Sequence, residues 1–417
     1  EPRSGAPGPR AARRGVARAL YRAAYGEGYR VGPPMTRSSF ALALALAALA
    51  GPTACQPFEN PPQTPDAASD TEQILAASDL PPTLAAPLPG DGMGVTIHRL
   101  KNGLTVYIST DRQKPRVAAW VAVRTGSRND PPNSTGLAHY LEHMLFKGTD
   151  ELGTLDFAAE KPHLERVQQL YKDLRGSEDP AKRAQIFAEL DQENQAIARH
   201  AVPNEMDRLY TTLGIDGINA FTSDDMTVYI GDLPTNRLEA WATLEAERFK
   251  DPSYRLFYTE LESVYEEKNL SLDDPEDRAS EAMMRQLFPT HPYGTQTTIG
   301  SSEHLKSPAY QDMIDYFQRW YAPNNMAVLL AGDIDAAAAL PVLERTLGTW
   351  APRALEKPSP ATLEKPKTRV AAEVVGEGEQ AVTIGWPTVA YTDPDEPVLT
   401  VMNWLLDNET SGLLNVD

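Results

Sequence analysis

"LAHYLEHMLFKGT", Leu137 to Thr149, places two histidines and a glutamate within five residues. On a helix, His139 and His143, four apart, project from one face, roughly 5–6 Å apart at Cβ. Glu142 follows His139 by three, on the adjoining edge of the same face. The order is H-x-x-E-H, the inverse of H-E-x-x-H. That spacing suits two ligands on one zinc ion, with a carboxylate within reach of metal-held water. Structural zinc sites close with four Cys or His ligands. Here the chain has a single cysteine and the motif holds a spare glutamate, so a catalytic arrangement is expected.

A catalytic zinc needs a third protein ligand and an open position. The stretch "YTELESVYEEKN", Tyr258 to Asn269, offers Glu260, Glu262, Glu266 and Glu267. Glu260, Val264 and Glu267 fall on one helical stripe, at i, i+4 and i+7, whereas Glu262 and Glu266 lie on the opposite, solvated side. A carboxylate beside a buried valine is costly unless it meets a cation. Glu260 and Glu267 are therefore the pair expected to face the metal. Helical geometry alone does not choose between them.

Further stretches stand in order along the chain: "LKNGLTVYI", "GINAFTSDDMTVY", "HPYGTQTTIG" and "WYAPNNMAVLLAGDID". Together with the H-x-x-E-H segment, they resemble the pitrilysin, insulysin and mitochondrial processing peptidase family of zinc metallopeptidases, from about Val95 to the end of the chain. The resemblance implies hydrolysis of peptides or unfolded polypeptides, with His139, His143 and Glu267 holding zinc. Glu142 would act as general base and Glu260 would support the site. It also implies substrate contacts at Asn219, Ala220 and Thr222, on a strand edge that pairs with an extended peptide. Members of the family work as two homologous halves, in one chain or as two subunits. A second half, in this chain or as a partner, is therefore expected. The alternative reading is a non-catalytic peptide-binding or scaffolding subunit, against which the intact His139, Glu142, His143 and Glu267 set argues. The 124 positions between His143 and Glu267 exceed the usual spacing (267 − 143 = 124). Two charged helical segments, within residues 156–200, account for the excess and resemble an insertion that caps the site or a partner surface.

The net charge of −19 over 417 residues argues against a nucleic-acid partner, which calls for clustered Lys and Arg. Residues 35–55 read MTRSSFALALALAALAGPTAC. An arginine followed by an apolar core too short to span a bilayer fits a secretory signal peptide and an exported, periplasmic protein. Ala48-Leu49-Ala50 is one exit. Alternatively, Ala54-Cys55 resembles a bacterial lipoprotein signal, with Cys55 lipidated and anchoring the chain. Residues 1–34 are Arg-rich and nearly acid-free, as mitochondrial presequences are, but the apolar run after Met35 does not fit that reading. Residue 1 is Glu, and Asp417 follows closely on an apolar helical pattern at 398–406. Both ends are read as arbitrary boundaries, with Met35 a candidate start and residues 1–34 untranslated upstream sequence.

The fold class expected is α+β, a mixed or antiparallel sheet packed with helices. An upstream segment with the signal peptide covers 1–54 and a flexible tether 55–92. The catalytic domain is placed at 93–350, a linker at 351–367, and the truncated start of a second homologous domain at 368–417. That second unit is expected to open with a strand near Ala381 to Trp386, followed by a helix from Val398 to Leu406.

Overall fold

Alternation of apolar and polar residues on either side of Lys101-Asn102-Gly103 makes a hairpin, because glycine tolerates the positive φ of 88° that the turn requires. The computed structural model describes residues 81–306 and 310–355 and, with gaps, parts of 363–413. Cys55, the signal-like run and the tether up to residue 80 lie outside the described residues. The hairpin pairs β1 (Thr96–Arg99) with β2 (Thr105–Thr110), Thr96 opposite Ile108. The Asn102 side chain donates to the carbonyls of Leu347 and Trp350, 2.9 Å each, and ties the turn to the far end of the domain.

The sheet is completed by β3 (Arg116–Val123), β4 (Asp216–Thr222), β5 (Thr227–Pro234) and β6 (Met326–Gly332). Its order is β1-β2-β6-β3-β5-β4, with β2 and β6 parallel and the other neighbours antiparallel. The strand at β3 reads RVAAWVAV, and its side chains alternate between faces as the pleat demands. Val117, Ala119, Val121 and Val123 join the main core beneath the helices, while Trp120 and Ala122 pack with Tyr107, Val228 and Leu329 on the opposite face. Helices covering one face of a largely antiparallel sheet are an α+β arrangement, as the sequence predicts.

The helices that position the site are α1 (Leu137–Met144), α2 (Phe157–Arg175), α3 (Pro180–His200), α4 (Glu205–Thr212), α5 (Leu238–Lys250), α6 (Phe257–Asp273), α7 (Pro275–Leu287) and α8 (Tyr310–Trp320). Two more follow, α9 (Ala336–Arg345) and α10 (Glu396–Leu406). The excess segment between the motif and α6 forms the helical hairpin α2–α3. Its helices start where their caps dictate. Asp156 accepts from the amide of Ala159 and Asp179 from that of Ala181, with Pro180 in the first turn. Tyr171 of α2 stacks on Tyr310 of α8 and meets Phe257 of α6 edge-on, so the insertion packs against the helix that carries Glu260 and Glu267.

One expected element is not formed. Residues 381–390 carry no strand, and Val382, Ile384 and Trp386 are exposed. A strand needs a neighbour to satisfy its row of N–H and C=O groups, and none pairs with this segment among the described residues. The helix expected at Val398 to Leu406 is α10, two residues longer at its start. No helix among the described residues is long and apolar enough to cross a membrane.

Candidate metal centre

The motif helix α1 is set in place by a residue outside it. Gly136, with φ 87°, precedes the helix and has no side chain to cap it. The buried Asp130 carboxylate does so instead, accepting from the amides of Gly136 at 2.7 Å, Leu137 at 3.1 Å and Ala138 at 2.9 Å. A carboxylate at a helix N-terminus also meets the positive end of the helix dipole. The helix buries Leu137, Ala138, Leu141 and Met144 in the main core, which leaves His139, Glu142 and His143 facing α6 and β4.

His139 and His143 approach with their Nε2 atoms 3.2 Å apart. The Glu267 Oε2 atom lies 3.7 Å from each of those nitrogens. These three ligand atoms converge from two helices, and they are the one His/Cys/Asp/Glu group among the described residues that could hold a metal ion. Two imidazole nitrogens and a carboxylate oxygen form the donor set that zinc takes at catalytic sites, so the residues fit that ion. Two facing imidazole nitrogens beside a carboxylate are otherwise poorly compensated, whereas a cation between them satisfies all three. The two histidines are buried to different degrees, and Glu267 is 44% exposed, which opens the group to solvent on that side.

The other two carboxylates occupy different positions. Glu260 accepts from His143 Nδ1 at 2.9 Å through Oε1 and pairs with Lys147 through Oε2. It turns away from the ligand atoms and orients the ring, the usual role of a carboxylate behind a metal-binding histidine. An Nδ1–H donated to Glu260 leaves the Nε2 lone pair of His143 free for a metal. Glu142 is 6% exposed and accepts from the Thr222 hydroxyl at 2.5 Å. Glu262 and Glu266 are exposed, as the helical stripe predicts.

Electrostatics separate these groups. Burial pushes the Glu142 carboxyl up to about 7, against the pull of the Thr222 hydrogen bond and the charge of His143. Burial, and then the neighbouring His143, lower His139 to about 3, so it is a neutral ligand at any physiological pH. Burial also lowers His143, but the hydrogen bond to Glu260 and the charges of Glu267 and Glu142 more than offset it, and the net shift is upward. Burial raises Glu260, and contact with His143 and Lys147 brings it below the ordinary carboxylate range.

Asn219 is exposed on β4, which pairs only with β5 among the described residues. Ala220 and Thr222 alternate with it on the buried face. A register shift between Asp216 and Asn219 bends this edge strand. Sequence reasoning did not single out Asp130 or Lys147. Asp130 stands seven residues before Leu137, the first residue of the helix, beyond Pro131 and Pro132, where no capping pattern would place it. Lys147 follows His143 by four in the sequence but lies in the loop after the motif helix, which ends at Met144, so no helical spacing rule places it. Two histidines outside the site, His163 and His304, are half-buried and engaged. His163 meets Glu193 at 2.6 Å, and His304 Nδ1 lies 2.7 Å from the Thr135 hydroxyl, just before the motif helix.

The cap predicts a stability effect. Replacing Asp130 with Ala leaves three helix-start amides without their acceptor, and the expected loss is about 2–4 kcal/mol of unfolding free energy. Asp130→Asn, which keeps one acceptor oxygen, should lose less. Thermal melts of both variants check this, and an unchanged melting temperature for Asp130→Ala would show that the helix does not depend on its cap.

Comparison with known proteins places this geometry. Residues 105–161 match the model of the insulinase family, peptidase family M16, and residues 309–416 match that of the peptidase M16 inactive domain. The chain is 27% identical over 270 residues to the probable zinc protease PqqL of Escherichia coli, covering 63% of this chain and 24% of that protein. It is 24% identical over 322 residues to the probable mitochondrial-processing peptidase subunit beta of Schizosaccharomyces pombe, covering 74% and 58%. The chain therefore spans less than two thirds of the length of these curated relatives. Among solved structures, the first half of the periplasmic protease PqqL from Escherichia coli superposes with a TM-score of 0.50 at 22% identity, covering 67% of this chain and 51% of that one. A protease from Helicobacter pylori gives 0.50 at 21% identity, covering 66% and 54%. At that identity the superpositions show a shared fold. Two models of one family matched in order along the sequence, and relatives named as zinc proteases, make this chain similar to the insulinase family, peptidase family M16.

Proposed function

We propose that the protein is a zinc-dependent endopeptidase that hydrolyses peptides or unfolded polypeptides. The observation that carries this reading is the convergence of His139 Nε2, His143 Nε2 and Glu267 Oε2 beside the buried carboxylate of Glu142. When bound there, zinc supplies a Lewis acid that polarises the scissile carbonyl and lowers the pKa of water toward about 7. Glu142 takes one proton from the attacking water and delivers it to the leaving amide nitrogen. The Thr222 hydroxyl holds one oxygen of Glu142 and so aims the other. Glu260 keeps the His143 ring in its ligating orientation.

An extended substrate adds to the edge of β4 through main-chain hydrogen bonds, with Asn219, Ala220 and Thr222 as the contact residues. A second homologous half, in the same protein or as a partner subunit, closes over that edge. Export to the periplasm agrees with the signal-like run at 35–55 and with the periplasmic naming of a relative, and Cys55 is the proposed lipid anchor. The rival reading, a non-catalytic peptide-binding or scaffolding subunit, draws support from the inactive-domain match. That match covers 309–416 and excludes His139, Glu142, His143 and Glu267.

The test is metal removal from the full-length protein. Stripping with a zinc chelator should abolish cleavage of an unfolded reporter peptide, and stoichiometric zinc should restore it. Undiminished cleavage by verified zinc-free protein would remove the metallopeptidase reading.

A further inference from the structure

The guanidinium of Arg255 is buried where both ends of the α2–α3 insertion return to the domain, and all five of its N–H groups have acceptors. Its Nε donates to Glu160 Oε1 at 2.9 Å, and Nη2 to Glu160 Oε2 at 3.2 Å and the Thr149 carbonyl at 2.6 Å. Its Nη1 donates to the carbonyls of Lys147 at 2.7 Å and Leu152 at 2.9 Å. Arg255 is 1% exposed and Glu160 is 0% exposed. Glu160 belongs to α2, the first helix of the insertion. The three carbonyls belong to the loop that leaves the motif helix α1. Arg255 itself lies just before α6.

Backbone geometry around the guanidinium is equally committed. Gly148 and Gly153, with φ 95° and 79°, flank it, and a Cβ on either would come within 3 Å of Arg255 Nη1. Leu256, the next residue, has φ 57°, a left-handed conformation that a branched side chain rarely adopts. Such strain persists only where the surroundings over-determine it. The Leu256 carbonyl accepts from the Glu260 amide at 3.0 Å, which closes the first turn of α6.

Glu260 is thus held from two directions, and both lead to Arg255. Its backbone hangs from Leu256. Its carboxylate pairs with Lys147, whose carbonyl Arg255 binds. Burying an ion pair is a weak route to stability, because desolvation cancels much of the attraction. A buried pair that satisfies every donor does define one geometry.

We propose that the Arg255–Glu160 pair is a lock through which the insertion sets the register of α6 against α1, making Arg255 a positioning residue for the zinc ligands Glu267 and His143. The proposal rests on the metal-site reading above. It gives the insertion a task inside the catalytic unit. Lysine cannot replace Arg255, because an ammonium has three donors and no planar fork.

The test uses full-length protein and three variants: Arg255→Lys, Glu160→Gln and, as a control, Arg166→Ala, which breaks the half-exposed pair with Glu189 between α2 and α3. Zinc affinity is read by competition with a chromophoric chelator, folding by circular dichroism, and kcat and KM on an unfolded peptide. Arg255→Lys should stay folded at room temperature and bind zinc about 10–100-fold more weakly, with kcat reduced and KM nearly unchanged. Glu160→Gln should shift both readouts in the same direction by less, and Arg166→Ala should leave zinc affinity as in the wild type. Wild-type zinc affinity in folded Arg255→Lys overturns the lock, as does a loss in Arg166→Ala equal to that in Arg255→Lys. If Arg255→Lys does not fold, Glu160→Gln decides by the same criterion. A wild-type protein that binds zinc and cleaves nothing refutes the peptidase reading, while the affinity differences still judge the lock.

Discussion

Glu142→Gln should hold zinc as tightly as the wild type and cleave peptide roughly 10²–10⁴-fold more slowly, the contribution of a positioned proton-transfer group. That range corresponds to about 3–5 kcal/mol of activation free energy. The substitution isolates proton transfer because Glu142 is not among the converging ligand atoms. Its packing also survives, since a glutamine carbonyl can still accept from the Thr222 hydroxyl that now meets Glu142 Oε2. The loss should fall on kcat, because the β4 edge proposed to bind an extended peptide is untouched. Single-turnover rates with zinc content measured on the same sample make the check. Wild-type turnover in the zinc-loaded variant would mean that another group handles the proton.

His143→Ala should have an effect of equal rank through a different route. It removes one of three ligand atoms, and it also leaves the Glu260 carboxylate without the ring that it orients. Loss of a supporting contact alone costs about 10–100-fold in metal affinity, and loss of a ligand should exceed that. Peptide cleavage at sub-stoichiometric free zinc should fall to background. The fold should persist, because Lys147 still pairs with Glu260 and the apolar side of α1 is unchanged. Metal analysis after dialysis against buffered zinc is the measurement, and full occupancy of the variant would take His143 out of the site. The two variants differ in what they keep: the glutamine variant is loaded and slow, the alanine variant is empty.

Much of this was legible in the residues because it depends on short range. A four-residue spacing on a helix puts His139 and His143 on one face whatever surrounds them, and the pleat assigns alternate residues of β3 to opposite faces. The same logic sorted Glu260 and Glu267 from Glu262 and Glu266. The α8 helix was missed although Tyr310, Met313 and Phe317 carry a helical period, and all three are buried. The strand expected at Ala381 to Trp386 failed for a different reason. Its alternation is real, but a strand exists only with a partner, and pairing is a property of the tertiary fold.

The choice between Glu260 and Glu267 marks where local reasoning ended. Seven residues apart on one helical stripe, they sit about 10 Å apart along the axis. Which of them reaches the histidine Nε2 atoms depends on how far α6 slides along α1, and no local rule determines that. Resemblance named Glu267 as the ligand. The docked helices bring Glu267 to the two Nε2 atoms and Glu260 to the far side of the His143 ring, beside Lys147. The sequence by itself determined the chemical groups and the helix faces that present them, because those follow from composition and from periods of 3.6 and 2. Only the tertiary structure decided which carboxylate meets the ligand nitrogens, that Asp130 caps the motif helix from across a proline turn, and that Arg255 joins the insertion to both helices of the site. Those outcomes rest on contacts between residues far apart in the chain, and packing selects them.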